Sequence, residues 1–318
     1  MARALTPILS HAPASSGGES EALVAAPAPA VDVPRGEAGL VPYLLAAPLA
    51  LVFLLFFIVP MALVVVVSFF NYEAYDILIP DFTFQNYIDV FADEVTWATY
   101  LSTVKFCLVV WLITLVLGFA IAYFLAFYVP SLTWQMTLFL LTTIPFWTSN
   151  VIRMISWIPL LGRNGLVNTA LIGAGIVGEP QEWLLYSSFS VILGYVHLFT
   201  IFMVVPVFNS MVRIDRSLLE AARDCGATEW QTLRHVILPL CKPGITIGSI
   251  FVLTIVMGDF VTVNVLGGGQ IASVGKSIYT ELSYLQFPPA AANAMVLLVT
   301  VVLMIVALTR ILDIRKEL

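Results

Sequence analysis

Between two long apolar runs lies Glu220-Ala221-Ala222-Arg223-Asp224-Cys225-Gly226, followed after nine residues by Val236-Ile237-Leu238-Pro239. Hydropathy falls from Arg213 to Pro243, while a helical pattern continues through the stretch. Ser217 stands three residues before Glu220, the spacing of a capping box that opens a short helix. Ala221 and Ala222 keep one face of that helix shallow, so another surface can approach it closely. Gly226 supplies the left-handed turn that ends a helix. Glu229 to Leu238 reads as a second short helix, and Pro239 and Pro243 bend the chain back toward the next apolar run.

The flanks say what surrounds this loop. The 318-residue chain is 60% hydrophobic and 11% charged, with a mean hydropathy of +0.98. A soluble domain averages roughly 25% charged residues. No globular core absorbs this much apolar surface, so the solvent is a bilayer. The formal net charge of −6 argues against a nucleic-acid partner. Cys107, Cys225 and Cys241 are odd in number and match no zinc spacing, so they read as free thiols. Residues 1–38 are rich in Ala, Pro, Ser and Gly without apolar periodicity, and are expected to be a disordered cytosolic tail. They do not read as a cleavable signal peptide, because no short apolar core follows a basic start.

A helical crossing needs about 20 residues. About six runs qualify, near 43–70, 99–127, 134–156, 187–212, 244–266 and 289–312. Lipid leaves no partner for free backbone groups, so the expected architecture is an all-α integral membrane protein. Orientation follows from Lys and Arg. The segment from Asn71 to Ala98 has neither, but carries Glu73, Asp76, Asp81, Asp89, Asp93 and Glu94. The segment after the fourth run carries Arg213, Arg216, Arg223, Arg234 and Lys242, and the C-terminal end Arg310, Arg315 and Lys316. Both termini and the Glu220 loop are therefore expected in the cytosol, which an even number of spans also requires.

The quoted loop resembles the EAA motif of binding-protein-dependent ABC transporter permeases, with Val236 where that family usually has Ile. The likeness runs from about Tyr43 to the C-terminus. Pro145-Phe146-Trp147-Thr148-Ser149-Asn150 with Arg153, then Gly162-Arg163-Asn164-Gly165, looks like the third-span region of the spermidine/putrescine permease group. Gly258-Asp259-Phe260-Val261 and Leu266-Gly267-Gly268-Gly269 look like its fifth span. One departure is Phe199-Thr200-Ile201, where that group often has a proline. The resemblance implies the type I ABC importer fold, with the permease domain over residues 39–318 and the coupling loop at 213–243. It implies that Glu220, Ala221, Ala222, Gly226, Leu238 and Pro239 couple to an ATPase. The implied partners are ABC ATPase subunits, a second permease chain or a copy of this one, a periplasmic solute-binding protein and membrane lipid. The implied location is the bacterial inner membrane. The implied solute is spermidine or putrescine, although permeases of this architecture also carry solutes such as an opine, an organophosphonate or iron.

Within the spans, Asp259 lies about 22 Å along a helix counted from Gly244. A carboxylate there faces a pathway or a partner rather than lipid, or else is hydrogen-bonded by neighbouring helices. Trp147, Asn150 and Asp259 are the candidate translocation-pathway residues. Trp147 and Trp157 also read as interface anchors, Arg153 as a snorkelling side chain, and His197 as a core hydrogen-bonding group. Gly269 to Ser277 is not a phosphate loop, because five residues rather than four separate Gly269 from Gly275. No catalytic or metal motif is present, so the chain is expected to bind no cofactor and to hydrolyse nothing itself. An ion-coupled secondary transporter would show charges deep in several spans and an internal repeat. A structural membrane protein would not need the Gly and Leu-Pro spacing.

Overall fold

The computed structural model describes residues 40–73 and 76–311. The expected tail at 1–38 lies outside them, as do Arg315 and Lys316. The chain divides into two units, meeting between Val52 and Phe53. The described part of the first is helical, within α1 (Leu40–Phe53). The second begins with a π-helical turn at Leu54–Ile58 and α2 (Val59–Val67). A two-stranded antiparallel hairpin follows, β1 (Phe70–Glu73) and β2 (Asp76–Phe82), then α3 (Gln85–Ala92). The hairpin is an addition to the all-helical expectation. It sits in the acidic segment, outside the long apolar runs.

Long helices follow. α4 (Glu94–Tyr123) starts earlier than the apolar run because Asp93 caps it, accepting from the amides of Val95 and Thr96. Next come α5 (Leu132–Thr143), α6 (Asn150–Ile155), α7 (Ile158–Leu161), α8 (Leu166–Gly173) and α9 (Ser188–Val212). The chain continues through α10 (Arg216–Asp224), α11 (Glu229–Thr232), α12 (Leu238–Leu240) and α13 (Lys242–Gly258). It ends with α14 (Val261–Leu266), α15 (Val274–Ser283) and α16 (Phe287–Ile311).

Four segments are long and apolar enough to cross a membrane: Leu44–Val67, Glu94–Tyr128, Glu182–Val212 and Phe287–Ile311. Two bent pairs raise the number to six if each is one span. The third expected run is not a simple rod. Pro145 draws Ile144–Trp147 into a 3-10 turn, Thr148 is extended, and the chain turns by 93° before α6. The fifth is also broken. α13 stops at Gly258, Asp259 is extended at ψ 122°, and α14 starts afresh.

Three π-helical turns, Leu54–Ile58, Phe124–Tyr128 and Leu233–Ile237, each end two residues before a proline: Pro60, Pro130 and Pro239. A proline offers no N–H and crowds the carbonyl one turn back, so the preceding turn widens.

The core is the mutual packing of α4, α9 and α13. Met203 on α9 is fully buried between two glycines. A Cβ on Gly118 of α4 would lie 2.7 Å from Met203 Cγ, and one on Gly248 of α13 would lie 2.7 Å from its sulfur. Farther along, Gly244 lies against the Pro206 carbonyl and the Ser210 hydroxyl. Between apolar helices in lipid, hydrophobic burial gives little drive, so close backbone approach over small residues supplies the packing. Cys107, fully buried on α4, adds a 3.6 Å contact from its thiol to the Leu253 carbonyl of α13. All three cysteines are free thiols, with Cys225 exposed and Cys241 buried. Gly244→Val forces apart the backbone contact with α9. It should cost about 1–3 kcal/mol and lower the melting temperature of the purified protein by roughly 3–10 °C. Gly173→Ala, where a Cβ meets nothing within 4 Å, should leave it unchanged.

Candidate functional site

The loop from Arg213 to Pro243 is built from two short helices with defined ends. Its first cap differs from the expected one. α10 is capped by Asp215, whose Oδ1 accepts from the Ser217 amide at 3.0 Å. Ser217 sits inside the first turn and donates to the cap. An aspartate carboxylate is a strong acceptor and also suits the positive end of the helix dipole, so it takes the position from serine. Hydrogen bonds from the Ser217 amide and hydroxyl hold the Asp215 carboxyl below the usual carboxylate range. A depressed pKa makes this contribution present at neutral pH and lost as pH falls through the folded value.

The other end matches expectation. Gly226 is left-handed at φ 80°. Its amide bonds to the Arg223 carbonyl at 2.8 Å, and the Ala227 amide to the Ala222 carbonyl at 3.0 Å. This pair of bonds is the Schellman closure. A capping box does exist in the loop, one helix later. Thr228 Oγ1 accepts from the Gln231 amide at 3.3 Å, and Gln231 Oε1 from the Thr228 amide at 2.8 Å. The Thr-x-x-Gln spacing carried that signal in the sequence.

Helical spacing then sorts the side chains. Leu219 and Ala222, three apart, turn inward and are half-buried, while Glu220, Ala221, Arg223 and Asp224 are exposed. Leu219 packs on the main core. Beneath it is a cavity of about 120 Å³ lined by Tyr123, Phe127 and Tyr128 from the end of the second span, with Arg223, Glu229, Thr232 and Ile237. Ile237 and Cys241 are buried, which roots the second short helix in the core. Leu238 is exposed and Pro239 half-buried. The segment Glu229–Leu240 then bends by 66° into Lys242–Gly258, where Pro239 and Pro243 mark the turn. Leu218 and Trp230, 48% and 68% exposed, add apolar surface to the loop. Sequence reading passed over both, since neither belongs to the motif.

The second candidate group is more dispersed. Trp147 is 86% exposed at the end of its 3-10 turn, and Asn150, also exposed, opens α6. Asp259 is at the break after α13 rather than inside a continuous helix. Its Oδ1 accepts from the amides of Val261 at 2.6 Å and Thr262 at 3.1 Å, and its Oδ2 from the Thr262 hydroxyl at 2.6 Å. The carboxylate thus starts α14, and α14 packs against α6. The helix carrying Asn150 and the helix started by Asp259 are neighbours.

Arg153 does not snorkel. It is 8% exposed, donates from Nη2 to Asn150 Oδ1, and has a buried Nε without a partner among the described residues. The inward face of α6, set by the bend before it, carries the side chain into the protein. His197 makes the expected hydrogen bond, accepting at Nδ1 from Trp157 Nε1 at 3.1 Å, but it is exposed rather than in the core. The rejected Gly269–Ser277 segment is the capped start of α15, where Ser273 Oγ accepts from the Lys276 amide at 3.2 Å.

No protein-family model matches the chain. It is 34% identical over 232 residues to the spermidine/putrescine transport system permease protein PotB of Haemophilus influenzae, covering 72% of this chain and 79% of that one. To PotB of Escherichia coli it is 32% identical over 257 residues, covering 80% and 92%. The inner membrane ABC transporter permease protein YdcU of Escherichia coli is 26% identical over 258 residues. Among solved structures, a bacterial ABC transporter involved in the import of the acidic polysaccharide alginate matches in fold. The TM-score is 0.69 at 18% identity, covering 86% of this chain and 95% of that one. With this identity spread over most of both chains, the chain belongs to the family of ABC importer permeases that includes PotB, and is a membrane-spanning subunit of an ATP-driven importer.

Proposed function

We propose that this permease carries a polyamine of the spermidine and putrescine class, and that α10 is its point of contact with the ATPase. The observation that carries the solute reading is the 34% identity to a spermidine/putrescine permease over 72% of the chain. The coupling reading is supported by the geometry of α10, which has firm ends, an exposed Glu220-Ala221 face and an inward Leu219 on the core. A surface seated on that face would push a short rigid helix whose other side bears on the end of the second span. Glu220, Ala221, Ala222 and Gly226 form or close this helix, while Leu238 and Pro239 shape the return to the membrane.

In this reading the chain binds no cofactor and no nucleic acid, and ATP is hydrolysed on two separate ABC ATPase subunits. A second permease chain, or a copy of this one, completes the path. A periplasmic solute-binding protein delivers the solute, and both termini lie on the cytosolic side of the inner membrane. ATP moves the spans only through a difference in its affinity for the two states of the assembly. Trp147, Asn150 and Asp259 lie along the path. Asp259 is held by three local donors, so its charge would meet a cation from a fixed position. The experiment that tests the solute is spermidine uptake into proteoliposomes bearing the complete transporter. ATP-dependent accumulation is expected, and transport of another solute without spermidine uptake would overturn the polyamine assignment.

Three variants probe the assigned roles. Glu220→Lys reverses the charge on the exposed face and should cut co-purified ATPase by roughly tenfold or more, with membrane insertion intact. Full retention of the ATPase would remove Glu220 from the contact. Gly226→Val puts a β-branched residue at φ 80° and should destabilise the end of α10 by about 1–2 kcal/mol, read as faster amide exchange over 217–225. Asp259→Asn keeps a capping side chain and loses the charge. Uptake of a polycation should then fall by roughly tenfold while ATPase docking is unchanged. Equal uptake by both proteins would take Asp259 out of the path.

A further inference from the structure

Glu281 belongs to none of the motifs, yet it is a half-buried carboxylate with one buried oxygen unused. It lies on α15, the short helix between the fifth and sixth spans. α15 is clamped at both ends. At its start the Val274 amide donates to Thr103 Oγ1 of α4 at 3.1 Å. Near its end Asn293 Nδ2 of α16 donates to Glu281 Oε1 at 2.7 Å. The Asn293 carbonyl in turn accepts from the buried Tyr100 hydroxyl of α4 at 2.9 Å. The turn into α16 is tight, with Leu285 left-handed at φ 62° and the Gln286 amide bonded back to the Glu281 carbonyl at 2.9 Å. These contacts hold Glu281 in one place.

The other carboxylate oxygen, Oε2, is buried with no hydrogen-bond partner among the described residues. An unmet buried acceptor is costly, and a charged donor repays it best. Glu281 borders a cavity of about 350 Å³ lined also by Gly269–Ser273, Lys276, Ser277 and Thr280. Lys276 does not serve the carboxylate. Its ammonium points to the Ile271 carbonyl, at 3.4 Å, and no ion pair joins the two side chains. Among the described residues, the charged and titratable groups near Glu281 are Tyr100 on α4 and Lys276 on its own helix.

We propose that Glu281 and this cavity form a binding site for a protonated amine, one ammonium group of the transported polyamine. The inference rests on the polyamine reading. It adds a carboxylate that the motifs do not contain, on an element distinct from the coupling loop. Burial pushes the Glu281 carboxyl up to about 7, with the Asn293 hydrogen bond pulling the other way. The charged form that an ammonium requires is therefore lost as pH falls through neutrality, and recovered above it.

The test is Glu281→Gln in the complete transporter in proteoliposomes, supplied with saturating spermidine-loaded binding protein. Glutamine keeps the acceptor for Asn293 and removes the charge, so assembly and melting temperature should stay at wild-type values. Spermidine uptake should fall by roughly tenfold or more, with Glu281→Asp intermediate. Wild-type uptake should fall as the outer pH drops from about 8 to about 6, and the variant should lose that dependence. Uptake by Glu281→Gln within about twofold of wild type would overturn the site and leave the polyamine reading standing. A wild-type transporter that carries another solute but no spermidine would overturn both, and is seen before any variant is made.

Discussion

Everything else in this protein hangs on the close approach of three helices, α4, α9 and α13, around Met203. In lipid the surroundings are as apolar as the side chains, so burying more hydrocarbon gains little. What holds helices together is contact density over small residues. Gly118 and Gly248 let Met203 sit between two backbones, and Gly244 brings α13 against the Pro206 carbonyl. α2, by contrast, has no buried residue among those described.

The same core anchors the Glu220 loop. α10 and α11 are attached to the same three helices. Leu219 rests on the core, Ile237 and Cys241 are buried in it, and the loop emerges from α9 and re-enters as α13. The loop's own helices are short and stiffly ended by Asp215, the Gly226 closure and the Thr228–Gln231 box. Displacement of such a unit passes to its neighbours, since a closely packed interior does not absorb it. At the opposite ends of the long helices the chain is broken rather than continuous. The turns at Thr148 and Asp259 place polar groups where a straight apolar span would have none. Irregular backbone within a membrane-spanning region is tolerated where it is enclosed by protein or lines a water-filled cavity.

The helical architecture, the placement of four long spans and the Gly226 end of α10 were legible in the sequence. Each depends on local chemistry: apolar length, a left-handed glycine, a proline. The breaks were less legible. Pro145 announced an interruption but not a 93° turn, and the cap at Asp259 looked like part of an unbroken run. Ser217 matched a capping box, but Asp215 two residues earlier is the better acceptor. Arg153 shows the limit of counting residues along a span. Distance from the helix start placed it near an interface, while the face of α6 it occupies carries it inward.

Composition and motif spacing by themselves determined that this chain lives in a bilayer as helices and carries a capped, charged loop between two spans, because solvent and turn chemistry act residue by residue. Only the tertiary structure decided which polar groups meet. It joined Glu281 to Asn293 across α15 and α16 and tied Asn293 to Tyr100 on α4. Partners so far apart in sequence leave no periodic trace, since their meeting depends on how the helices pack.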